Sequence, residues 1–195
     1  MEVNIRQLDG PWDAGYALDK HTLSSVCVGH NEYGHPVFET TRSEAGEALF
    51  NLKYRSDWSQ VDPLAQQLVS SVLPLFDKVH LLLPMPASTT RLRQPVDELC
   101  AALSKHSGIP VFDNVLVVNE GYQPTAKLKD LRSKEEKQEV LKGKLAANDG
   151  IEKGCWNALI VDDLYHSGAT MEAATKALRG YSKINRVYVA VCTWR

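Results

Sequence analysis

The chain has 195 residues, of which 44% are hydrophobic, and its 22 basic and 24 acidic side chains give a formal net charge of −2. This composition is typical of a globular domain and argues against collagen, coiled coil and disorder. The near-neutral balance gives no electrostatic footprint for nucleic acid or an anionic membrane, so direct contact with either is not expected. Any bound anion has to be held by a local arrangement of groups.

The N-terminal segment and the cysteines indicate a reduced, cytoplasmic protein. Residues 1–13 lack the basic and then apolar stretches of a secretory signal, and the longest apolar runs have the length of strands, not of membrane spans. The four cysteines lie far apart without zinc-type spacing. Three of the four are expected to be buried small hydrophobic side chains.

Residues 1–60 are expected to form a small hood, a hairpin and a helix that precede the main domain. Strand-like pieces at 23–28 and 36–40 flank a turn-rich linker, which is typical of a hairpin. An amphipathic helix follows and runs to about Arg55. The remaining residues, 61–195, are expected to form the core of the protein.

Two helix starts are marked by capping residues. Thr41 and Glu44 have the spacing of a capping box, so the first helix is expected to begin just after Thr41. Asp62 and Pro63 have the character of a cap and a first helical position, and they predict the start of the second helix.

From residue 78 onward, strands alternate with helices. Apolar, strand-like runs lie at 78–83, 110–118, 158–161 and 187–191. Helices are predicted from about Val96 to Ser107, from a capping box of Ser133 and Glu136, and over 169–179. This order and the continuously apolar strands predict an α/β fold whose central sheet is mostly parallel and flanked by helices. The segment 119–134 has no apolar period and is expected to be a long loop.

The most informative segment reads VDDLYHSGAT at 161–170. A buried strand ends in Asp162 and Asp163, a short loop containing Gly168 follows, and a helix begins at about Ala169. The N-terminus of a helix, with its free backbone N–H groups, binds anions, and Gly168 lets the backbone approach them closely. Two carboxylates suit a sugar's vicinal hydroxyls or the water shell of a divalent cation. A phosphorylated ribose meets these requirements together.

This run resembles the phosphoribosyl-pyrophosphate (PRPP) signature of the type I phosphoribosyltransferases. The resemblance implies that Asp162 and Asp163 contact the ribose and, through its water ligands, Mg²⁺. It also implies that the 5-phosphate of PRPP is held by the residues that follow, namely Tyr165, His166, Ser167, Gly168, Ala169 and Thr170.

Two further segments resemble the same family. Ala87 and Ser88 belong to a proline-rich loop after a strand, where the family has its pyrophosphate loop. Arg91 and Arg93 follow, and they are expected either to meet the pyrophosphate by bidentate contacts or to be ordinary surface charges. The loop at 119–134 lies where the family has a mobile catalytic lid.

The run LKYR at 52–55, together with these segments, resembles the ComF family. The chain departs from that family in two respects. It lacks the zinc ribbon that is common before the ComF domain, and His166 and Ser167 replace the usual paired threonines. His166 takes the place of an aspartate base in purine-type relatives, so it is expected to be either a general acid or base or a phosphate contact.

Basic side chains are frequent between residues 127 and 144, where acidic ones are interspersed. This pattern is typical of a solvated face of mixed charge, from which one or two cations are expected to close over the pyrophosphate. The basic residues are Lys127, Lys129, Arg132, Lys134, Lys137, Lys142 and Lys144.

The resemblance implies a phosphoribosyltransferase that uses PRPP and Mg²⁺, transfers the phosphoribosyl group to a small nitrogenous acceptor and releases pyrophosphate. Asp162, Asp163 and His166 would be its catalytic residues. The alternative is a sensor or ComF-like accessory protein that binds PRPP or a nucleotide 5′-phosphate without turnover. A role in DNA uptake or processing, by analogy with ComF, is a third interpretation, against which the near-neutral charge and the missing zinc ribbon argue. For the three side chains themselves, a directly built metal site is an alternative. The acceptor and the oligomeric state stay open, and a homodimer is compatible with the sequence.

Overall fold

The computed structural model describes residues 1–89, 91–123 and 133–195. A hairpin and two helices separate the first strands of the chain from the part in which strands and helices alternate. The strands are β1 (Arg6–Gln7), β2 (Ala14–Lys20), β3 (Ser24–His30), β4 (Pro36–Thr41), β5 (Leu81–Pro84), β6 (Leu116–Val118), β7 (Leu145–Ala147), β8 (Trp156–Tyr165) and β9 (Ile184–Trp194). The helices are α1 (Glu44–Arg55), α2 (Val61–Gln67), which continues as a π-helical turn at Leu68–Val72, α3 (Pro95–Ser107), α4 (Lys134–Leu141) and α5 (Ala169–Arg179).

The central sheet has the strand order β1-β2-β9-β8-β5. Strands β2, β9, β8 and β5 run parallel, and only the short edge strand β1 is antiparallel to its neighbour. A single parallel bridge between Leu82 and Val111 extends the sheet beyond β5. The predicted α/β class with a mostly parallel sheet is therefore confirmed.

Helices cover both faces of this sheet, which explains why its strands are apolar without alternation. Along β8, Leu159 and Val161 belong to the cluster under α1, α2 and α3, whereas Ala158 and Ile160 belong to the cluster under α5. The first cluster includes Leu49 and Leu52 of α1, Leu64 of α2, and Leu99 and Leu103 of α3. The second includes Met171, Ala174 and Leu178 of α5.

The N-terminal region contributes more to the sheet than its composition predicts. The β3–β4 hairpin is present as expected, and its residues are almost all exposed. Strand β2 was not predicted, because its sequence AGYALDK lacks β-branched residues. It pairs with β9 over most of its length, so residues before position 60 form part of the central sheet. The division at residue 60 stays a prediction.

Four local predictions were wrong. Ser43, not Thr41, caps α1, since its side chain accepts the N–H of Gly46. One turn of 3-10 helix, Trp58–Gln60, leads directly into α2, which begins at Val61. Asp62 and Pro63 therefore lie inside the helix and do not cap it. The run 110–118 is no continuous strand, because a turn at 113–115 separates Val111 from β6. Two cysteines are buried rather than three: Cys100 and Cys192 are buried, and Cys27 and Cys155 are exposed.

Other boundaries agree with the sequence. Helix α3 ends at Gly108, whose φ of 75° lies in the left-handed region, and the Ser133–Glu136 capping box opens α4. Of the predicted loop at 119–134, residues 124–132 lie outside the described residues. Within the described ranges, no helix combines the length and apolar character that crossing a bilayer requires.

The connections of the sheet create one crevice. The chain leaves β5 towards the Val111 side and leaves β8 towards β9, so the two crossovers diverge between neighbouring strands. Ligands of open α/β sheets bind at the carboxyl ends of the strands where such a divergence occurs. Topology alone therefore points to the space beyond Pro84 of β5 and Asp162 of β8.

Candidate functional site

A cavity of about 270 Å³ occupies this crevice. Its walls come from α1, from the loop after β5, from the start of α3, from the residue before β7 and from the end of β8. The polar side chains that line it are Lys53, Ser88, Thr89, Arg91, Gln94, Asp97, Lys144, Asp162, Asp163 and Thr170.

The acidic pair lies on one wall, as the sequence predicts, but it lies inside β8 and not beyond its end. The ladder to β9 continues past Asp162 to Tyr165. The backbone N–H of Asp163 donates to the Asp162 carboxylate over 2.8 Å. The ammonium of Lys53 contacts the other carboxylate, with 2.7 Å between its Nζ and Oδ2 of Asp163.

Burial and the neighbouring negative charge raise the pKa of Asp162 to about 8. The Asp163 carboxylate is the main charged cause, and the N–H of Asp163 and the Lys53 ammonium partly offset it. The free protein thus holds Asp162 in a setting that disfavours its charge. A cation or a hydroxyl donor brought into the crevice would relieve that cost.

A second, smaller cavity of about 90 Å³ adjoins the first at the start of α5. It is lined by Asp162, Leu164, Tyr165, His166, Ser167, Gly168, Ala169, Thr170 and Met171, so every predicted 5-phosphate contact lies around it. Thr170 and Asp162 line both cavities. The two spaces therefore form one candidate site.

Gly168 shapes this loop. Its φ of 80° is left-handed, and a Cβ there would lie 2.5 Å from the hydroxyl oxygen of Tyr165. Its carbonyl accepts the first helical hydrogen bond, from Glu172 at 2.9 Å. The amides of residues 169–171 precede that bond, so they face the loop without partners inside the helix. Phosphate-binding helix ends have this arrangement.

Two residues around this cavity have surroundings that the sequence did not specify. Tyr165 belongs to β8, and its ring packs edge-on against Trp12 with 6.3 Å between the ring centroids. His166 is exposed and, among the described residues, has no hydrogen-bond partner.

The proline-rich loop and its arginines separate into two groups. Ala87 and Ser88 line the larger cavity, as does Arg91, whose guanidinium donates to the carbonyl oxygen of Lys53 over 3.4 Å. Arg93 is directed elsewhere. It forms two hydrogen bonds of 2.7 and 2.9 Å to Glu98 and stacks 4.2 Å above the ring of Trp58. Arg91 therefore lines the cavity and Arg93 does not, and a contact of Arg91 with pyrophosphate stays a prediction.

Lys53, Lys144 and Asp97 were not predicted as individual site residues. Lys144 belongs to the basic segment at 127–144, and burial lowers the pKa of its ammonium. Within the part of the chain that the structure describes, that ammonium has no ion-pair partner. Burial, with Asp113 and Glu98 nearby, raises the pKa of Asp97. In the sequence, Lys53 stood out only as part of the run LKYR, which resembles the ComF family but does not indicate what Lys53 does.

A buried histidine lies near Lys53 and Asp163 without lining either cavity. His21 is 3% exposed, and its Nδ1 lies 3.0 Å from the hydroxyl oxygen of Thr193. Burial and the cations Arg195, Arg42 and Lys53 lower its pKa to about 4. His21 is therefore neutral at physiological pH.

The donor set fits a hydrated divalent cation better than a closed protein cage. In the described ranges, no three His, Cys, Asp or Glu side chains are gathered to hold a metal ion, so Asp162, Asp163 and His166 do not form a direct three-ligand site. Two adjacent carboxylates facing a polar crevice are the kind of partial set that Mg²⁺ takes while it keeps several waters.

Comparisons with known proteins find similarity to solved structures, but no family model and no curated protein matches the chain. Similar solved structures are named as phosphoribosyltransferases. Adenine phosphoribosyl transferase from Trypanosoma brucei, in complex with AMP, pyrophosphate and ribose-5-phosphate, is 11% identical, with a TM-score of 0.48 over 96% of this chain and 74% of that chain.

Two further structures are similar. Orotate phosphoribosyltransferase from Aeropyrum pernix is 14% identical, with a TM-score of 0.43 over 90% of this chain and 76% of that chain. UMP synthase from Leishmania donovani is 13% identical, with a TM-score of 0.41 over 85% of this chain, which spans only 27% of the length of that chain. At these values the similarities carry no conclusion about activity.

Proposed function

We propose that this chain binds PRPP together with Mg²⁺ and transfers its phosphoribosyl group to a small nitrogenous acceptor, releasing pyrophosphate. One observation carries the proposal. The acidic pair, the glycine-shaped start of α5 and the cations Arg91 and Lys144 line connected cavities at the carboxyl ends of β5 and β8. A ligand with a sugar diol between two phosphate groups would engage all of them at once.

The ribose lies against the acidic pair in this proposal. Asp162 and Asp163 accept hydrogen bonds from the vicinal hydroxyls of the sugar, and ionised acceptors make such bonds strong. The 5-phosphate occupies the smaller cavity, where the amides of residues 169–171 and the hydroxyls of Ser167 and Thr170 donate to it.

The pyrophosphate occupies the opposite wall. The loop of Ala87 and Ser88 brings its backbone to the crevice, and Arg91 provides a planar donor for phosphate oxygens. Lys144 adds a second positive charge. Because the charge of the whole chain is near zero, these local groups have to supply the attraction for the anion.

Mg²⁺ is expected to bind beside Asp162 and Asp163 through its water ligands, and when bound it neutralises charge on the departing pyrophosphate. The residues of the chain position the ligand around that centre. In the transfer, the bond between C1 of the ribose and the pyrophosphate oxygen breaks, and the nitrogen lone pair of the acceptor forms the new bond to C1. Fixed donors at both phosphates hold C1 in place during this exchange, so most of the rate acceleration comes from positioning and electrostatics.

The acceptor is expected beside the β3–β4 hairpin. This hairpin follows the carboxyl end of β2, which lies at the same end of the parallel sheet as the carboxyl end of β8. We propose that this hairpin acts as the hood of the site. Its exposed apolar side chains, such as Val26 and Phe38, suit a flat heterocycle. The proton that the acceptor loses passes to solvent or to His166, whose ring is exposed beside the loop.

A binding protein without turnover, such as a PRPP sensor or a ComF-like accessory protein, is the second candidate. The position of His166 favours it. The residue expected to move a proton is exposed and, in the described part of the chain, has no orienting partner. Binding of PRPP is common to both candidates, and turnover separates them.

Calorimetry with PRPP and Mg²⁺ tests the shared claim. We expect the wild-type protein to bind, and the D162N variant to bind at least about tenfold more weakly, since it loses a charged acceptor. The E152Q variant is the matched control, because Glu152 is exposed before β8 at the opposite end of the sheet. Absence of binding by the wild type, or equal binding by D162N, would remove both candidates.

Pyrophosphate release across a panel of bases and amines then separates the two candidates. Release with one acceptor, lost in D162N and kept in E152Q, supports the transferase. Binding of PRPP without release across the panel supports the sensor.

A further inference from the structure

Lys53 touches both walls of the crevice. Its ammonium lies 2.7 Å from the carboxylate of Asp163, and its backbone carbonyl accepts the 3.4 Å hydrogen bond from the guanidinium of Arg91. The two side chains of the ion pair are 21% and 14% exposed, so solvent screens the pair only partly. One residue thus contacts an acid expected at the ribose and a cation expected at the pyrophosphate.

The position of Lys53 at the end of α1 explains the second contact. The last four carbonyl groups of a helix have no donor inside it, and the C-terminus attracts cations. Lys53 is the third residue from the end of α1, which closes at Ser56 in a left-handed conformation. Its carbonyl is therefore free to accept the guanidinium of Arg91.

The start of α1 is fixed to the sheet, which gives Lys53 a defined position. Ser43 donates to the carbonyl of Lys20 at 2.5 Å and caps the helix at Gly46. A Cβ at Gly46 would lie 2.1 Å from the carbonyl oxygen of His21, so only glycine permits this close approach of α1 to the end of β2. The helix then extends rigidly towards the acidic pair.

We propose that Lys53 is a positioning residue of this site, whose ammonium orients Asp163 for the ribose and serves as the counter-ion of the acidic pair until the divalent cation arrives. The first of these roles, orienting Asp163 for the ribose, rests on the proposed function. The second role, as counter-ion, concerns only Asp162 and Asp163 and does not depend on PRPP.

If Lys53 has both roles, the K53M variant should bind a divalent cation more tightly and PRPP more weakly than the wild type. K53M keeps the helix backbone and most of the side-chain length but removes the charge beside Asp163. A divalent cation should then bind the free acidic pair more tightly, because a competing positive charge is gone. PRPP should bind more weakly, since Asp163 is no longer held. A loss of structure would weaken both.

The experiment titrates wild type, K53M, K53R and R55M with Mn²⁺ alone and with PRPP in the presence of Mg²⁺. Arg55 is the matched control, because it lies in the same last turn of α1 and faces the ring of Phe50. For K53M we expect at least about threefold tighter Mn²⁺ binding and about tenfold weaker PRPP binding. K53R should restore most of the PRPP affinity, and R55M should behave as wild type.

Unchanged binding of both probes by K53M would overturn the inference, as would weakening of both without rescue by K53R. If the wild type bound no PRPP, the proposed function would fail, and the Mn²⁺ titration would decide on Lys53 alone. Tighter Mn²⁺ binding by K53M would then retain the counter-ion role, and equal binding would exclude it.

Discussion

At the scale of single residues, the candidate site depends on groups held in settings that cost the folded protein free energy. Asp162 is a partly buried acid beside a second acid, and Gly168 has a backbone conformation that other residues adopt at a cost. Such features are typical of functional sites, where local stability is exchanged for a prepared geometry.

Asp162 makes stability depend on pH. Its pKa is about 8 in the folded chain against an ordinary value of 3.8, so between these values the folded chain binds more protons than the unfolded one. The free energy of unfolding therefore falls as the pH rises through this window. Urea unfolding without divalent cations should show wild type less stable at about pH 8 than at about pH 5, and D162N should lose most of that difference.

The E152Q variant should keep the full difference, because its carboxylate is exposed. A pH dependence in D162N equal to that of wild type would contradict the assignment of the raised pKa to this side chain.

The G168A substitution separates backbone strain from ligand binding. It should lower the free energy of unfolding by about 1–2 kcal/mol, because alanine adopts a positive φ only at a cost. The loss is larger if the Tyr165 side chain cannot move away from the added methyl group. G108A is the control, since Gly108 has a φ of 75° with open space around it. Thermal unfolding should detect a loss in both variants, whereas calorimetry should show loss of PRPP binding in G168A only.

Lys144 is expected to bind the pyrophosphate. K144M should weaken PRPP binding about tenfold, because a charged contact is lost, and should leave ribose-5-phosphate binding nearly unchanged. K142M is the matched control, because Lys142 is exposed and pairs with Glu139 at 3.6 Å. Equal weakening of both ligands would place Lys144 at the 5-phosphate instead.

At the scale of elements, the end of α1 is the part of the site that the sequence did not predict. The helix itself was expected from its apolar spacing, but the register of its cap was not. Thr41 with Glu44 has the spacing of a capping box, whereas Ser43 is followed three positions later by Gly46, so the local pattern favoured Thr41. In the structure, Ser43 caps the helix and also donates to the carbonyl of Lys20, which the sheet brings near. A contact between residues 23 positions apart leaves no local signal.

The S43A variant tests this cap. It should lower the free energy of unfolding by about 1 kcal/mol, since it removes the cap of α1 and a buried hydrogen bond. T41A should change the stability by less than about 0.5 kcal/mol, because Thr41 is exposed and does not cap the helix. Thermal unfolding of both variants decides between the two caps, and a larger loss in T41A would contradict the structure.

The segment around β8 and α5 was predicted more completely, because its chemistry is local. A strand, two acids, a glycine and a helix follow one another within 161–170, so the sequence alone places the groups proposed for the ribose next to those proposed for the 5-phosphate. Arg91 and Arg93 show the limit of this reasoning. They lie two positions apart, yet Arg91 lines the crevice, whereas Arg93 pairs with Glu98 and stacks on Trp58, which is distant in sequence.

At the scale of the whole molecule, topology brings the chemistry together. The acid pair, the proline-rich loop and α1 are far apart in sequence, and they meet because β5 and β8 are parallel neighbours whose crossovers diverge. The near-neutral charge of the chain is consistent with an anion site made from backbone amides, one helix end and a few cations. The strand β2 ties the hairpin to the same sheet, so the proposed hood has a fixed base.

The most direct test of the central claim is a crystal structure of the protein with PRPP and Mg²⁺. We predict the 5-phosphate within hydrogen-bond distance of the amides of residues 169–171, the ribose hydroxyls on Asp162 and Asp163, and the pyrophosphate between Ser88 and Arg91. Density for PRPP away from the crevice between β5 and β8, or a crevice without PRPP at saturating concentration, would contradict the account.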